Sequence, residues 1–129
     1  MSTYILTIYA KSGHEDTVAE LFQGQQAELE QAEGFRGRQV YQAQTGLFLE
    51  AVKSVYTEEQ ISKMAAAEEA AGAEAPAADR VQFVVIEEWE KPEQRLQYSS
   101  QREGLGSEFM AQLVTHILPE HSHEFYQQR

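Results

Sequence analysis

Hydrophobic positions along the chain follow two periods, and the points where one gives way to the other mark the elements. Residues 3–10, TYILTIYA, are β-branched and aromatic and stop at Lys11-Ser12-Gly13, the pattern of a strand closed by a turn. Tyr4, Leu6 and Ile8 fall on one face, Ile5 and Tyr9 on the other, so both faces of this strand are expected to be covered. From about Gly13 to Glu33 the period lengthens. Val18, Leu21, Phe22, Gln25 and Leu29 share one stripe of a helix, with Glu15 and Asp16 in its first turn opposing the positive end of the dipole. Gly34 is expected to close that helix in the left-handed conformation, and residues 35–44 (FRGRQVYQAQ) read as a second strand, weakened by Gly37.

Residues 45–79 break this order and read as an insertion. LFLEAV (47–52) either prolongs the strand or forms a hairpin arm. Thr57 and Gln60 have the spacing of a capping box before Ile61, Met64 and Ala65, which predicts a short helix. That helix runs into AAAEEAAGAEAPAA, an Ala/Glu tract with nothing large to bury, hence a solvated helix end and linker, or a lid over a cavity.

Alternation returns in VQFVVIEEW (81–89), the strongest strand of the chain. Val81, Phe83, Val85, Glu87 and Trp89 share one face. Pro92 opens a helix over 92–101, Gly104 and Gly106 break it, and Phe109, Met110, Leu113, Val114, Ile117 and Leu118 line another helix closed by Pro119. HSHEFYQ (121–127) reads as a last strand. The order β-α-β, insertion, β-α-β is the ferredoxin-like split βαβ arrangement of the α+β class, a four-stranded antiparallel sheet with helices on one face. One helix layer leaves the other face apolar, at Ile5, Tyr9, Val84 and Ile86. A face of that size is more than soluble monomers expose, so a homodimer packing sheet against sheet is expected.

Composition narrows the partners. The chain of 129 residues carries a formal charge of −11, which opposes nucleic-acid backbones and anionic bilayers. It has no cysteine, so disulfides, thiolate nucleophiles, iron–sulfur clusters and Cys-type zinc sites are excluded. The opening residues carry neither a basic leader nor a long apolar run, so the protein reads as soluble and cytoplasmic, without a membrane partner.

The segments ILTIYAKSGHED, EGFRG with VY after it, and RVQFVVIEEWEKPE resemble the antibiotic biosynthesis monooxygenase superfamily of dimeric α+β barrels. The carrying residues are Lys11 to Asp16, Gly34 to Gly37, and Phe83 with Glu87, Glu88 and Trp89. The likeness spans about residues 3–44 and 80–118, outside the insertion. At two positions where members often carry His this chain has Tyr98 and Glu108, before Phe109. It has no Asn at all, which departs from the haem-degrading branch. The resemblance implies a small oxygenase acting with O2 on an aromatic substrate of hydroquinone or anthrone type, without metal, haem or flavin. A non-catalytic barrel that binds a small apolar ligand, or serves a structural or interaction role, is the alternative. The insertion could also dock a partner through Ile61, Met64 and Ala65.

Glu87 and Tyr98 are the catalytic candidates, to orient or deprotonate a substrate hydroxyl, and Glu87 would need burial to act as a base. Trp89 and Phe109 would hold the ring, and Tyr4, Tyr9 and Tyr41 would add apolar wall. Each of these aromatics has core packing as its ordinary alternative. His14 opens a helix, where imidazoles are usually solvated. His121 and His123 form an H-x-H pair whose rings share a strand face, but two ligands without a third leave no metal assigned.

Overall fold

The computed structural model describes residues 1–72, 79–100 and 105–129. In chain order the elements are β1 (Ser2–Lys11), α1 (Glu15–Leu29), β2 (Phe35–Gln42), α2 (Leu47–Val55), α3 (Glu58–Ala70), β3 (Arg80–Trp89), α4 (Pro92–Ser100), α5 (Leu105–Leu113) and β4 (Ile117–Tyr126). The four strands form one antiparallel sheet in the order β2-β3-β1-β4, with helices on one face, as the split βαβ pattern requires.

The period-two pattern sets which face is inside. Tyr4, Leu6, Ile8 and Ala10 of β1 lie opposite Glu87, Val85, Phe83 and Val81 of β3, and this row turns toward the helices. Ile8, Ala10, Phe83 and Val85 pack there with Val18 and Phe22 of α1 and Leu113 of α5. A second cluster joins Tyr4, Leu29 and Trp89 to Phe35 and Tyr98. The alternate row, Ile5 with Ile86 and Thr7 with Val84, is only half-buried, and Tyr41 and Tyr126 on the same face are about half exposed.

Two compact units result, Met1–Ala43 with Asp79–Arg129, and Gln44–Ala78. The first holds the sheet with α1, α4 and α5. In the second, α2 packs on α3. Residues 47–52 are helical here, neither a strand continuation nor a hairpin arm. Gly46, at φ 87°, turns the chain, and Phe48, Ala51, Val52 and Val55 then repeat at helical spacing through Lys53 and Ser54. The capping box of α3 forms as expected, with Thr57 Oγ1 accepting from the Gln60 amide at 3.2 Å and Gln60 Oε1 accepting from the Thr57 amide at 2.9 Å.

Three boundaries differ from the sequence reading. Helix α1 stops at Leu29 with Glu30 as its cap, so Gly34, at φ 83°, belongs to the turn entering β2. Gly106, expected with Gly104 to break the helix over 92–101, lies in the first turn of the next helix, α5. The last helix ends at Leu113. Val114 to His116 form a turn, and Ile117, Leu118 and Pro119 already belong to β4. An edge strand tolerates Pro119 because its missing N–H faces no partner. Residues 73–78 of the Ala/Glu tract, Gln101 at the expected end of α4, and Gly104 lie outside the described residues. Among the described residues no helix is long and apolar enough to cross a membrane.

Candidate active site

Glu87 is the single charged residue in the inward row of β3, between Val85 and Trp89, and it is 4% exposed. A carboxylate taken out of water into such a row is costly unless it is paired. Two donors supply the pairing, both to Oε1. The indole Nε1–H of Trp89, two residues on and therefore on the same face, donates at 2.9 Å, and the guanidinium Nε of Arg95 donates at 2.7 Å. Across the ladder Arg38 of β2 lies opposite Glu87, with three of its donors on Gln26 Oε1 at 3.1 Å, Gln25 Oε1 at 2.7 Å and the carbonyl of Phe22. Burial lowers the affinity of Arg38 for its proton, and the charge of Glu87 works against that loss.

Helix α4 carries Arg95, Tyr98 and Ser99 at the three- and four-residue spacings of one helical face. Arg95 lies over the Tyr4 ring at 4.5 Å and donates to Ser99 Oγ one turn on. Tyr98 packs against Trp89 with ring centroids 5.8 Å apart. The start of α4 is set by Gln94, whose Oε1 accepts from the Lys91 amide at 3.0 Å. That same side chain occupies the place where a Cβ on Gly34 would stand, only 1.8 Å away, while the Gly34 carbonyl accepts from the Glu90 amide at 2.8 Å. A glycine in the left-handed region thus seats the helix that presents Arg95 and Tyr98.

Between the sheet and α1, α4 and α5 lies a cavity of about 520 Å³, a volume usual for small-molecule sites. Tyr4, Leu6, Phe22, Phe109, Met110 and Leu113 make its apolar wall. Glu87, Arg95, Tyr98, Ser99, Gln25, His121 and His123 are its polar groups. Burial raises the phenol pKa of both Tyr98 and Tyr4; the positive charges of Arg38 and Arg95 near Tyr98, and of Arg95 near Tyr4, offset part of it. Both phenols therefore stay protonated at neutral pH. A second cavity of about 400 Å³, between α1 and β2–β3, is lined by Arg38, Phe22, Val40 and Phe83 among others.

Of the residues read from the sequence, Glu87, Tyr98, Phe109 and Tyr4 line the first cavity together. Trp89, wholly buried, is not in its wall but stands behind it, holding Glu87 and backing Tyr98. Tyr9 is elsewhere. It lies on the outer sheet face opposite Gln82, with Arg80 over its ring at 4.1 Å, because its position in β1 is odd where the inward row is even. Tyr41 shares that outer face. His14 meets His116, with Nδ1 atoms 2.9 Å apart, away from the cavity lining.

Sequence reasoning missed Arg95, Gln25 and the cavity position of His121 and His123. Arg95 had a signal, since it stands three residues before Tyr98 and so shares its helix face. The histidines stand out in the sequence as a pair, but Pro119 reads as a helix stop, which hides the start of β4 and with it their wall. Among the described residues no group of three or more His, Cys, Asp or Glu is placed to hold a metal ion.

Solved structures of the same architecture follow this chain over nearly its whole length. One antibiotic biosynthesis monooxygenase superposes with a TM-score of 0.60 at 11% identity, covering 100% of this chain and 99% of its own. A putative antibiotic biosynthesis monooxygenase from Nitrosomonas europaea gives 0.58 at 9% identity, covering 98% and 89%. The fold is that of the antibiotic biosynthesis monooxygenases. SnoaB, a cofactor-independent oxygenase from Streptomyces nogalater, shares it with a TM-score of 0.54 at 8% identity, covering 99% of this chain and 93% of that one. At these identities the likeness is one of fold. No family model and no curated protein matches the sequence.

Proposed function

We propose that the 520 Å³ cavity binds a small aromatic substrate of hydroquinone or anthrone type, and that the protein catalyses its oxidation by O2 as a cofactor-independent monooxygenase. The observation that carries this reading is the composition of the cavity wall. Aromatic and aliphatic side chains form most of it, and a few convergent polar groups, Tyr98 and Arg95 on one helix face and two imidazoles on β4, supply orientation. The fold shared with SnoaB supports the same class of chemistry.

The reaction needs no imported electrons. Loss of a proton from an anthrone leaves an electron-rich enolate that reduces O2. One oxygen atom enters the ring as a carbonyl, the other leaves as water, and the two hydrogens of the oxidised CH2 account for that water. The protein's part is to exclude bulk water, hold the ring and take the proton. Phe109 and Tyr4 flank the ring, the Tyr98 hydroxyl donates to the substrate oxygen, and the Arg95 charge favours the enolate. Glu87 acts as a positioning residue that orients Arg95 through their ion pair, and Trp89 holds Glu87 from behind. Tyr9, on the far face, has no part in the site.

The active form is proposed to be a homodimer that buries the outer row of Ile5, Val84 and Ile86, sheet against sheet. The second reading is a barrel of this kind that binds an apolar ligand without turning it over. It is favoured by Glu87, whose Oε1 is already engaged by Trp89 and Arg95 and so is ill placed to serve as the base. Product analysis under 18O-labelled O2 separates the two. The proposal expects one labelled oxygen per product molecule and loss of most of this turnover in Tyr98→Phe. Binding without labelled product assigns the protein to the second reading.

A further inference from the structure

Among the described residues, six titratable side chains line the cavity: Tyr4, Glu87, Arg95, Tyr98, His121 and His123. The two tyrosines are held protonated by burial, Arg95 has no lone pair to give, and Glu87 is bound by two donors on one oxygen. Imidazole is the remaining type, and as a class it changes protonation near neutrality.

The two histidines are not equivalent. His121 Nδ1 lies 2.9 Å from the carbonyl oxygen of Pro119. A carbonyl only accepts, so Nδ1 carries the hydrogen and the lone pair of the neutral ring is on Nε2. The local backbone explains this contact. Ile8 pairs with His121 and Ala10 with Ile117, so three residues of β4, Leu118 to Glu120, stand against Tyr9 alone. Such a bulge leaves main-chain groups outside the ladder and re-aims side chains, and bulges of this kind gather beside active sites. Below it the register resumes with His121 opposite Ile8 and His123 opposite Leu6, both on the inward row. The His123 ring packs 5.5 Å away, centroid to centroid.

We infer that His121 is the catalytic base of this cavity, its Nδ1–H anchored on the Pro119 carbonyl across the β4 bulge so that Nε2 receives the proton of a bound phenol or anthrone. The inference rests on the reading of the cavity as an aromatic-substrate site. In the step, the substrate O–H or C–H bond breaks with its electron pair left on the substrate. An N–H bond forms at Nε2, and the resulting imidazolium keeps its hydrogen bond from Nδ1 to Pro119. The enolate or phenolate so formed is the species that O2 oxidises.

The test is an anaerobic titration with a monohydroxyanthraquinone, a ring system already oxidised, whose phenolate absorbs at longer wavelength than its phenol. At a pH where the free probe is neutral, the wild-type protein should bind it and shift it to the phenolate spectrum. His121→Gln should bind it, by equilibrium dialysis, with the phenol spectrum retained, and its anthrone turnover should fall by about 10²- to 10⁴-fold. A phenolate spectrum that survives in His121→Gln, or wild-type binding with no spectral shift, overturns the assignment while leaving the aromatic site standing. Absence of binding by the wild type overturns the aromatic site and the base together.

Discussion

Glu87 illustrates how one buried charge organises a site. Its ion pair with Arg95 and its hydrogen bond from Trp89 are made in a wall where neither partner has ready access to water, since the Glu87 and Arg95 side chains are 5% and 16% exposed. Removing one member therefore leaves the other a buried charge without its ion-pair partner. Glu87→Ala should lower stability by about 3–5 kcal/mol in urea or guanidinium unfolding, whereas an unchanged midpoint would mean that water already solvates Arg95. Burial also acts on Tyr4 and Tyr98. Both phenols have folded pKa values above the ordinary 10.0, so the folded state holds these protons more tightly than the unfolded chain. The stability this contributes is complete below pH 10 and is lost as pH rises through the folded values. Alkaline unfolding followed with tyrosinate absorbance should begin above about pH 10 and begin later in Tyr98→Phe. Alternation, helix spacing and family likeness single out Glu87, Tyr98, Phe109 and Tyr4 in the sequence, and these four line one cavity. Tyr9 was misplaced because an apolar residue on a strand covered on both faces gives no sign of which face holds the cavity.

The elements were legible where a single period ran long enough. Strands β1 and β3, helix α1 and the box that starts α3 needed only apolar spacing and a cap. Short apolar runs were ambiguous. LFLEAV fits either period over six residues, and only its continuation through Lys53 to Val55 favours the helix. Pro119 reads as a helix stop when it is in fact a bulge residue on an edge strand, and that misreading hid the wall carrying His121 and His123. Gly34 gave a correct signal, a left-handed residue, with its purpose unread. Its function is steric as well as conformational, because the Gln94 side chain fills the space of the missing Cβ. Gly34→Ala should lower stability by at least about 1–2 kcal/mol from the backbone alone. It should also weaken aromatic binding by pushing the Gln94 side chain off the Lys91 amide, at the start of the helix that carries Arg95 and Tyr98. A ligand affinity unaffected by the substitution would show that α4 keeps its seat without Gln94.

For the whole molecule, the sheet has one face under helices and one with half-buried Ile5, Thr7, Val84 and Ile86 and half-exposed Tyr41 and Tyr126. That face is the argument for a second copy, and it was visible in the sequence as a strand with apolar residues on both sides. Sedimentation equilibrium should give twice the chain mass. Ile86→Glu, a charge in the middle of the outer row opposite Ile5 and Gln39, should give the monomer with the fold retained. A wild-type monomer at micromolar concentration would refute the sheet-to-sheet dimer. The cavity was less legible than the fold, because a cavity wall is a meeting of several elements and depends on where each one ends. The most direct measurement of the central claim is oxygen uptake by the purified protein offered anthrones, naphthoquinols and dihydroxyanthracenes, with a metal chelator present and autoxidation subtracted. A cofactor-independent oxygenase should show uptake that saturates with substrate, resists the chelator and falls in Tyr98→Phe and His121→Gln. No uptake above the autoxidation blank across those substrates would contradict it.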